Sequence, residues 1–235
     1  MRGARRNLPS RLTVWLGLVC LLFITLPAAD GLGNSRRQRG AQLSTAEVLE
    51  AERRLVELGY WAGEADGTWD LMSRHALVAF QKVEGRERTG RPTKAELEAL
   101  REARRPLPLE GGPAHIEIDI GRQVLFVVDE GGRVSRILPV STGNEGRYYD
   151  QGKWQLAHTP RGRFTIERKI EGWRRSTLGL LYYPCYFSGG FAIHGSLSVP
   201  ASPASHGCVR IPMFAAKEFS RTVPVGTAVI VHDGE

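Results

Sequence analysis

The sequence predicts an α+β chain in two parts: a small all-α three-helix bundle followed by a mainly β domain. Two observations carry that reading. Apolar residues recur at helical spacing between Ser44 and Ala103, then alternate with polar ones from His115 onward. Between the two patterns, Arg104–Pro113 holds three prolines and two glycines in ten residues, a run that can form neither a helix nor a central strand. The expected boundaries are 44–104 for the bundle, 105–113 for a linker and 114–233 for the β domain.

The chain has 235 residues and a formal charge of +7. Residues 1–40 hold seven basic residues and one acid, and the remainder carries 25 basic and 24 acidic groups. The folded part is therefore close to neutral, and no nucleic-acid partner is expected, since that would require a basic face there. Arg2, Arg5, Arg6 and Arg11 precede an uncharged run from Leu12 to Leu26, followed by the small residues of Pro27-Ala28-Ala29. This is the order of a secretory signal. The run is shorter than the roughly 20 residues a spanning helix needs, which favours cleavage over a permanent anchor. Residues 1–29 are thus a signal peptide or N-terminal anchor, with membrane anchoring possible only through residues 12–26, and 30–43 are a linker. The chain is expected to be exported to the cell envelope, periplasm or cell wall.

In the bundle, Ser44 or Thr45 caps a first helix with Glu47 in its first turn. Val48, Leu49, Leu55, Val56 and Leu58 form its apolar stripe, and Gly59 stops it. A turn follows through Asp66-Gly67. A second helix runs from about Leu71 to Lys82, with Leu71, Ala76, Leu77, Ala79 and Phe80 inward. A third spans about Thr93 to Ala103 with Leu97 and Leu100 inward.

In the β domain, Ile116, Ile118 and Ile120 alternate with His115, Glu117 and Asp119, which places His115 and Asp119 outward in solvent. Gln123–Val128 and Val134–Val140 read as a hairpin around Asp129-Glu130-Gly131-Gly132. Phe164–Ile166, Phe191–Ile193 and Thr227–Val231 read as further strands, and Pro212 opens a helix. The stretch from Thr142 to Thr159 reads as a long polar-aromatic loop of the kind that carries function. Trp154, Trp173, Tyr182, Tyr183, Tyr186 and His158 stand there or between it and the next site; packing under the sheet accounts for each equally well.

That site is Ser205-His206-Gly207-Cys208-Val209-Arg210, with His194 fourteen residues before the cysteine. A free thiol has a pKa of about 8.5 and reacts as thiolate, so it needs a base. On an extended backbone His206 would point to the same face as Cys208, while His194 ends a strand that can lie beside it. N–H groups around Gly207 and Cys208 suit an oxyanion site, and Arg210 offers a fork for a carboxylate. The same His-x-Cys pair with His194 also fits three ligands of a zinc site. With the leader removed, Cys185 and Cys208 are the remaining cysteines. They read either as a buried small hydrophobe and a free thiol or as a redox pair.

Two resemblances bear on these alternatives. Leu55-x-x-Leu58-Gly59-Tyr60, Gly63-x-x-Asp66-Gly67-x-Trp69, Ala76-Leu77-x-x-Phe80-Gln81 and Thr89-Gly90 together resemble the three-helix peptidoglycan-binding domain, with Asp70 and Arg74 departing from the residues usual there. Ile193-His194-Gly195 followed by Ser205-His206-Gly207-Cys208-Val209-Arg210 resembles the active-site signature of L,D-transpeptidases of the YkuD type. Ser141-Thr142-Gly143, Thr159-Pro160-x-Gly162-x-Phe164, Tyr183-Pro184 and Gly226-Thr227-x-Val229 support it in order.

The second resemblance implies a YkuD-like catalytic domain with Cys208 as nucleophile, His194 as general base and His206 as a second imidazole lining the site. Ser205 and Gly207 would shape the turn, Arg210 would hold the turn or substrate, and the Gly195 carbonyl would orient the base at the substrate side. It implies acyl transfer at the L,D bond of a peptidoglycan stem tetrapeptide, a thioester at Cys208 and 3–3 cross-links, with peptidoglycan stem peptides and glycan as partners and no cofactor or metal. The alternatives are an L,D-carboxypeptidase or lipoprotein-anchoring acyltransferase of the same fold, a non-catalytic cell-wall-binding protein, and a zinc-dependent hydrolase.

Overall fold

A computed structural model of the chain describes residues 43–234. The export segment, its cleavage and most of the first linker fall outside these residues. Among the described residues no helix is long and apolar enough to cross a membrane.

The helical part is built from α1 (Thr45–Glu57), α2 (Leu71–Val83) and α3 (Lys94–Glu102). Each has a side-chain cap. Ser44 and Glu47 form a reciprocal capping box at α1, satisfying two N–H groups that the first turn leaves unpaired. Asp70 accepts from Ser73 N at α2, and Thr93 from Glu96 N at α3. The Asp66-Gly67 turn is held from inside: both backbone N–H groups donate to the buried carboxylate of Glu52, at 3.1 and 2.8 Å. Two residues expected inward are not. Leu71 is 61% exposed and Val56 45%, because Leu71 starts its helix on the solvent side and Val56 lies off the packed stripe.

The β part holds two five-stranded sheets. The first runs β3 (Val134–Pro139), β2 (Val124–Val128), β1 (His115–Asp119), β12 (Ala228–His232), β6 (Gly162–Thr165). In the second, β11 (Val209–Pro212), β10 (Phe191–Ser196), β9 (Gly179–Ser188) and β7 (Arg168–Lys169) lie in that order, with β8 (Trp173–Ser176) also pairing with β9. Ile116, Ile118, Leu125 and Leu138 of the first sheet meet Phe187, Ile193, Val209 and Ile211 of the second. Ala215, Ala216 and Phe219 of α4 (Met213–Thr222) complete this core. The expected loop from Thr142 to Thr159 contains a separate hairpin, β4 (Arg147–Asp150) with β5 (Lys153–Leu156).

His115 and Asp119, expected outward in solvent, are 4% and 0% exposed. The linker covers His115 and its neighbour Glu117, while Arg122 lies on Asp119. Glu117 accepts from Leu109 N and Glu110 N, both at 2.8 Å, and His115 contacts Glu117 and the Pro113 carbonyl. Asp119 accepts from Arg122. Polar residues alternate along β1 because a peptide segment rather than water lies against that face.

The helices also share a core with the first sheet. Leu55, Leu77, Phe80, Leu97 and Leu100 cluster with Val124, Phe126, Val134 and Ile137. Tyr60 bridges Ile137 at the β3 edge, Trp61 N donates to Ile137 O, and Ile137 N donates to Gly59 O. The segment read as a turn after α1 therefore runs along the free edge of the first sheet.

Candidate active site

Cys208 stands one residue before β11, and His194 lies on β10. These strands are parallel neighbours, with Ile193 opposite Val209 and His194 opposite Arg210. The fold thus brings the thiol and the distant imidazole onto adjacent chains. Both line a cavity of about 710 Å³, as do Ser205, His206 and Arg210.

His194 is 6% exposed, and its Nδ1 lies 2.9 Å from the Gly195 carbonyl. A carbonyl only accepts, so Nδ1 carries the proton and Nε2 of the neutral ring has a bare lone pair. Burial lowers the His194 pKa to about 4, against the raising effect of the Gly195 carbonyl and with a smaller lowering from Arg210. Burial also pushes the Cys208 thiol up, partly offset by the Ala192 backbone and Arg210. At neutral pH the pair is a thiol and a neutral imidazole. A bare imidazole nitrogen facing the same cavity as a thiol can take the proton as the sulfur attacks.

The turn bearing Cys208 is tightly held. Ser205, 2% exposed, donates Oγ–H to Cys208 O at 2.6 Å and accepts from Gly207 N at 3.0 Å. Thr159 donates to Gly207 O at 2.8 Å while accepting from Gly143 N. The Gly207 N–H is therefore committed to Ser205 rather than free to face an oxyanion, leaving the Cys208 N–H as the candidate donor there. Gly207 adopts φ +135°, and a Cβ there would stand 2.5 Å from Phe191 and 2.6 Å from the His158 carbonyl. Only glycine fits.

That φ breaks the extended backbone from which His206 was expected to share the face of Cys208. His206 is exposed and its ring packs edge-on to Tyr148, 4.6 Å between centroids. It sits at the rim of the cavity. Gly195 does not line the cavity; a Cβ there would come 2.6 Å from Ala216 Cβ, so its bareness lets β10 pack on α4 while its carbonyl holds His194. Arg210 pairs its backbone with Ser141 in both directions.

Cys185 and Cys208 are free thiols. Cys185 is fully buried on β9 opposite Ile193, with β10 between it and Cys208. Two strand spacings, roughly 9–10 Å, exceed the reach of a disulfide. Among the described residues no three His, Cys, Asp or Glu side chains converge as zinc ligands would.

The far wall comes from segments that periodicity did not single out. Tyr148, Asp150, Lys153 and Gln155 face the cavity from β4 and β5, and Thr177–Leu181 do so from the β8–β9 hairpin. Thr177 Oγ1 donates to Asp150 at 3.0 Å, tying the two hairpins together. Of the aromatics noted in the sequence, Trp173 and Tyr186 line the cavity. Tyr182 and Tyr183 pack on the core, while Trp154 is 62% exposed. The length and polar-aromatic composition of the Thr142–Thr159 stretch were the available signal for this wall.

Residues 113–231 match the family of L,D-transpeptidase catalytic domains called YkuD, and residues 44–100 match a peptidoglycan binding domain family. Among solved structures, the chain is similar to an L,D-transpeptidase from Xylanimonas cellulosilytica. Identity is 40%, covering 83% of this chain and 96% of that one, with a TM-score of 0.76. It is also similar to an L,D-transpeptidase from Stackebrandtia nassauensis, at 24% identity over 80% of this chain and 91% of that one, with a TM-score of 0.47. Comparison with curated proteins found no match.

Proposed function

The chain belongs to the YkuD family of L,D-transpeptidases, and we propose on that footing that it is a cysteine acyltransferase of the cell envelope that joins peptidoglycan stem tetrapeptides by 3–3 cross-links. The observation that carries this reading is the shared cavity of Cys208 and His194, with His194 Nδ1 tied to the Gly195 carbonyl.

In the first half-reaction, His194 Nε2 takes the Cys208 proton as Sγ attacks the carbonyl carbon of the third stem residue. The Cys208 N–H receives the oxyanion. The C–N bond to the terminal D-residue then breaks, and His194 returns the proton to the leaving amine. In the second, the amine of a neighbouring stem attacks the thioester and gives its proton to His194. The C–S bond breaks and the thiol is restored. Arg210, on the strand beside the base, suits a carboxylate of the stem. The peptidoglycan-binding match over residues 44–100 supports the same substrate.

The test is mass spectrometry and product analysis with defined tetrapeptide muropeptides. The wild-type chain should acquire an acyl adduct on Cys208 and release a cross-linked dimer. Cys208→Ala should form neither, and His194→Ala should lose about 10²–10⁴-fold in acylation rate, the usual worth of a positioned base. Trimmed tripeptide without dimer would replace the amine acceptor by water, giving a carboxypeptidase. Sacculus binding without any product, unchanged in Cys208→Ala, would make the chain a wall-binding protein.

A further inference from the structure

Lys82 lies on α2 with 1% of its surface exposed. Burying an ammonium is costly unless its donors are met. Here Nζ donates to Gln123 O at 3.0 Å and to Val140 O at 2.8 Å. Both acceptors belong to the β part of the chain, at the outer end of the β2–β3 hairpin, where Val140 N also donates to Gln123 O. A helix that needed only to pack against this sheet would bring a hydrophobe to that point.

The bonds continue inward. Gln123 has φ +63°, the left-handed region that strains a non-glycine residue and persists where neighbours over-determine it. Lys82 holds its carbonyl, and its amide group holds Thr142: Nε2 donates to Thr142 Oγ1 at 2.6 Å and Oε1 accepts from Thr142 N at 3.0 Å. Thr142 O in turn accepts from Ala204 N and Ser205 N, at 3.0 and 2.9 Å. Ser205 closes the series on Cys208 O and Gly207 N. An unbroken run of hydrogen bonds thus joins α2 to the turn that carries the thiol. A second contact runs beside it, where Arg88 donates to the Ala201 carbonyl at 2.9 Å and Ser141 to that of Ser202.

We propose that Lys82 is a positioning residue for the Cys208 turn, so that the helical part matching a peptidoglycan-binding domain is also a structural component of the reaction centre. The proposal rests on the reading of Cys208 as the reacting thiol. It assigns α2 a task separate from any contact with the wall.

The test compares Lys82→Met with Leu97→Ala in the full chain. Leu97 is buried on α3 outside this run of bonds, and its loss loosens the bundle without cutting the series. Amide hydrogen exchange at Ala204, Ser205 and Gly207 reads the turn directly and needs no substrate. In Lys82→Met exchange there should rise about tenfold or more. With muropeptide substrate, kcat should fall about tenfold and KM change less than about twofold. Leu97→Ala should lower the unfolding midpoint yet leave exchange at the turn and kcat at wild-type values. Unchanged exchange and kcat in a folded Lys82→Met chain would overturn the proposal, as would equal effects from Leu97→Ala. If Lys82→Met does not fold, Gln123→Leu removes both side-chain bonds to Thr142 while leaving Lys82 and the carbonyl it holds intact. It must then accelerate exchange at Ser205 and Gly207, and failure to do so also overturns the proposal. A wild-type chain that makes no cross-linked product would refute the proposed function while leaving the exchange result to be judged by itself.

Discussion

His194 is buried and Cys208 half-buried, and desolvation holds both in their uncharged forms, so in the proposed reaction the thiol depends on its base at the moment of attack. Alkylation of Cys208 by iodoacetamide should therefore climb about tenfold per pH unit through the neutral range, following the small thiolate fraction. A rate flat from acid to neutral pH would reveal a preformed ion pair instead. Acylation, which needs neutral His194, should show its acid limb near pH 4, since the folded imidazole titrates at about 4. The same shift links to stability. Between pH 6.5 and about 4 the unfolded chain binds a proton that folded His194 refuses, so stability falls as pH drops through that window and is restored above it. Ser205–Arg210 was legible as a unit because so many reactive side chains fall in six residues. The separation of the two imidazoles was legible only through resemblance. What puts His206 at the rim is the backbone of Gly207 at φ +135°, where Phe191 and the His158 carbonyl leave no room for a Cβ, and such crowding is invisible in a linear chain.

Secondary structure was readable where its signals are local. The helices begin at Ser44, Asp70 and Thr93 because a short side-chain oxygen there accepts from the first turn. The hairpin at Asp129–Gly132 and the helix after Pro212 carry signals just as local. The strands β4, β5, β7, β8, β9 and β11 were not legible, since strands that are short or rich in exposed or aromatic residues lack clean alternation. Strand β1 shows why alternation misleads. Its polar face is buried by the linker at His115 and Glu117 and by Arg122 at Asp119, and Glu117 supplies the acceptor for two linker N–H groups. Glu117→Ala should cost about 1–3 kcal/mol, the penalty for leaving part-buried donors unpaired. It should also speed exchange at the Leu109 and Glu110 amides. A surface-like change below about 0.5 kcal/mol would mean that the linker does not depend on this carboxylate.

Over the whole molecule, the two periodicities suggested an independent bundle and a separate β domain joined by a short linker. The structure instead has Phe126 and Val124 of β2 in one apolar cluster with Leu77, Phe80 and Leu97 of the helices. We therefore expect the described residues to unfold in a single calorimetric transition. Phe126→Ala should lower the stability of the whole by about 3–5 kcal/mol, as for other buried aromatics. Two resolved transitions, with only one of them shifted by Phe126→Ala, would restore the independent-domain reading. The sequence by itself determined the elements whose capping, turn and alternation signals lie within a few residues. It also determined the identity of the reactive side chains, because chemistry resides in residue type. Only the tertiary structure decided which of them meet. The parallel pairing of β10 with β11 brings His194 and Cys208 to one cavity. Lys82 reaches the Cys208 turn through Gln123 and Thr142, across contacts between residues far apart along the chain. Such encounters are set by how sheets and helices bury their apolar faces together, and that is a property of the packed molecule rather than of any window of its sequence.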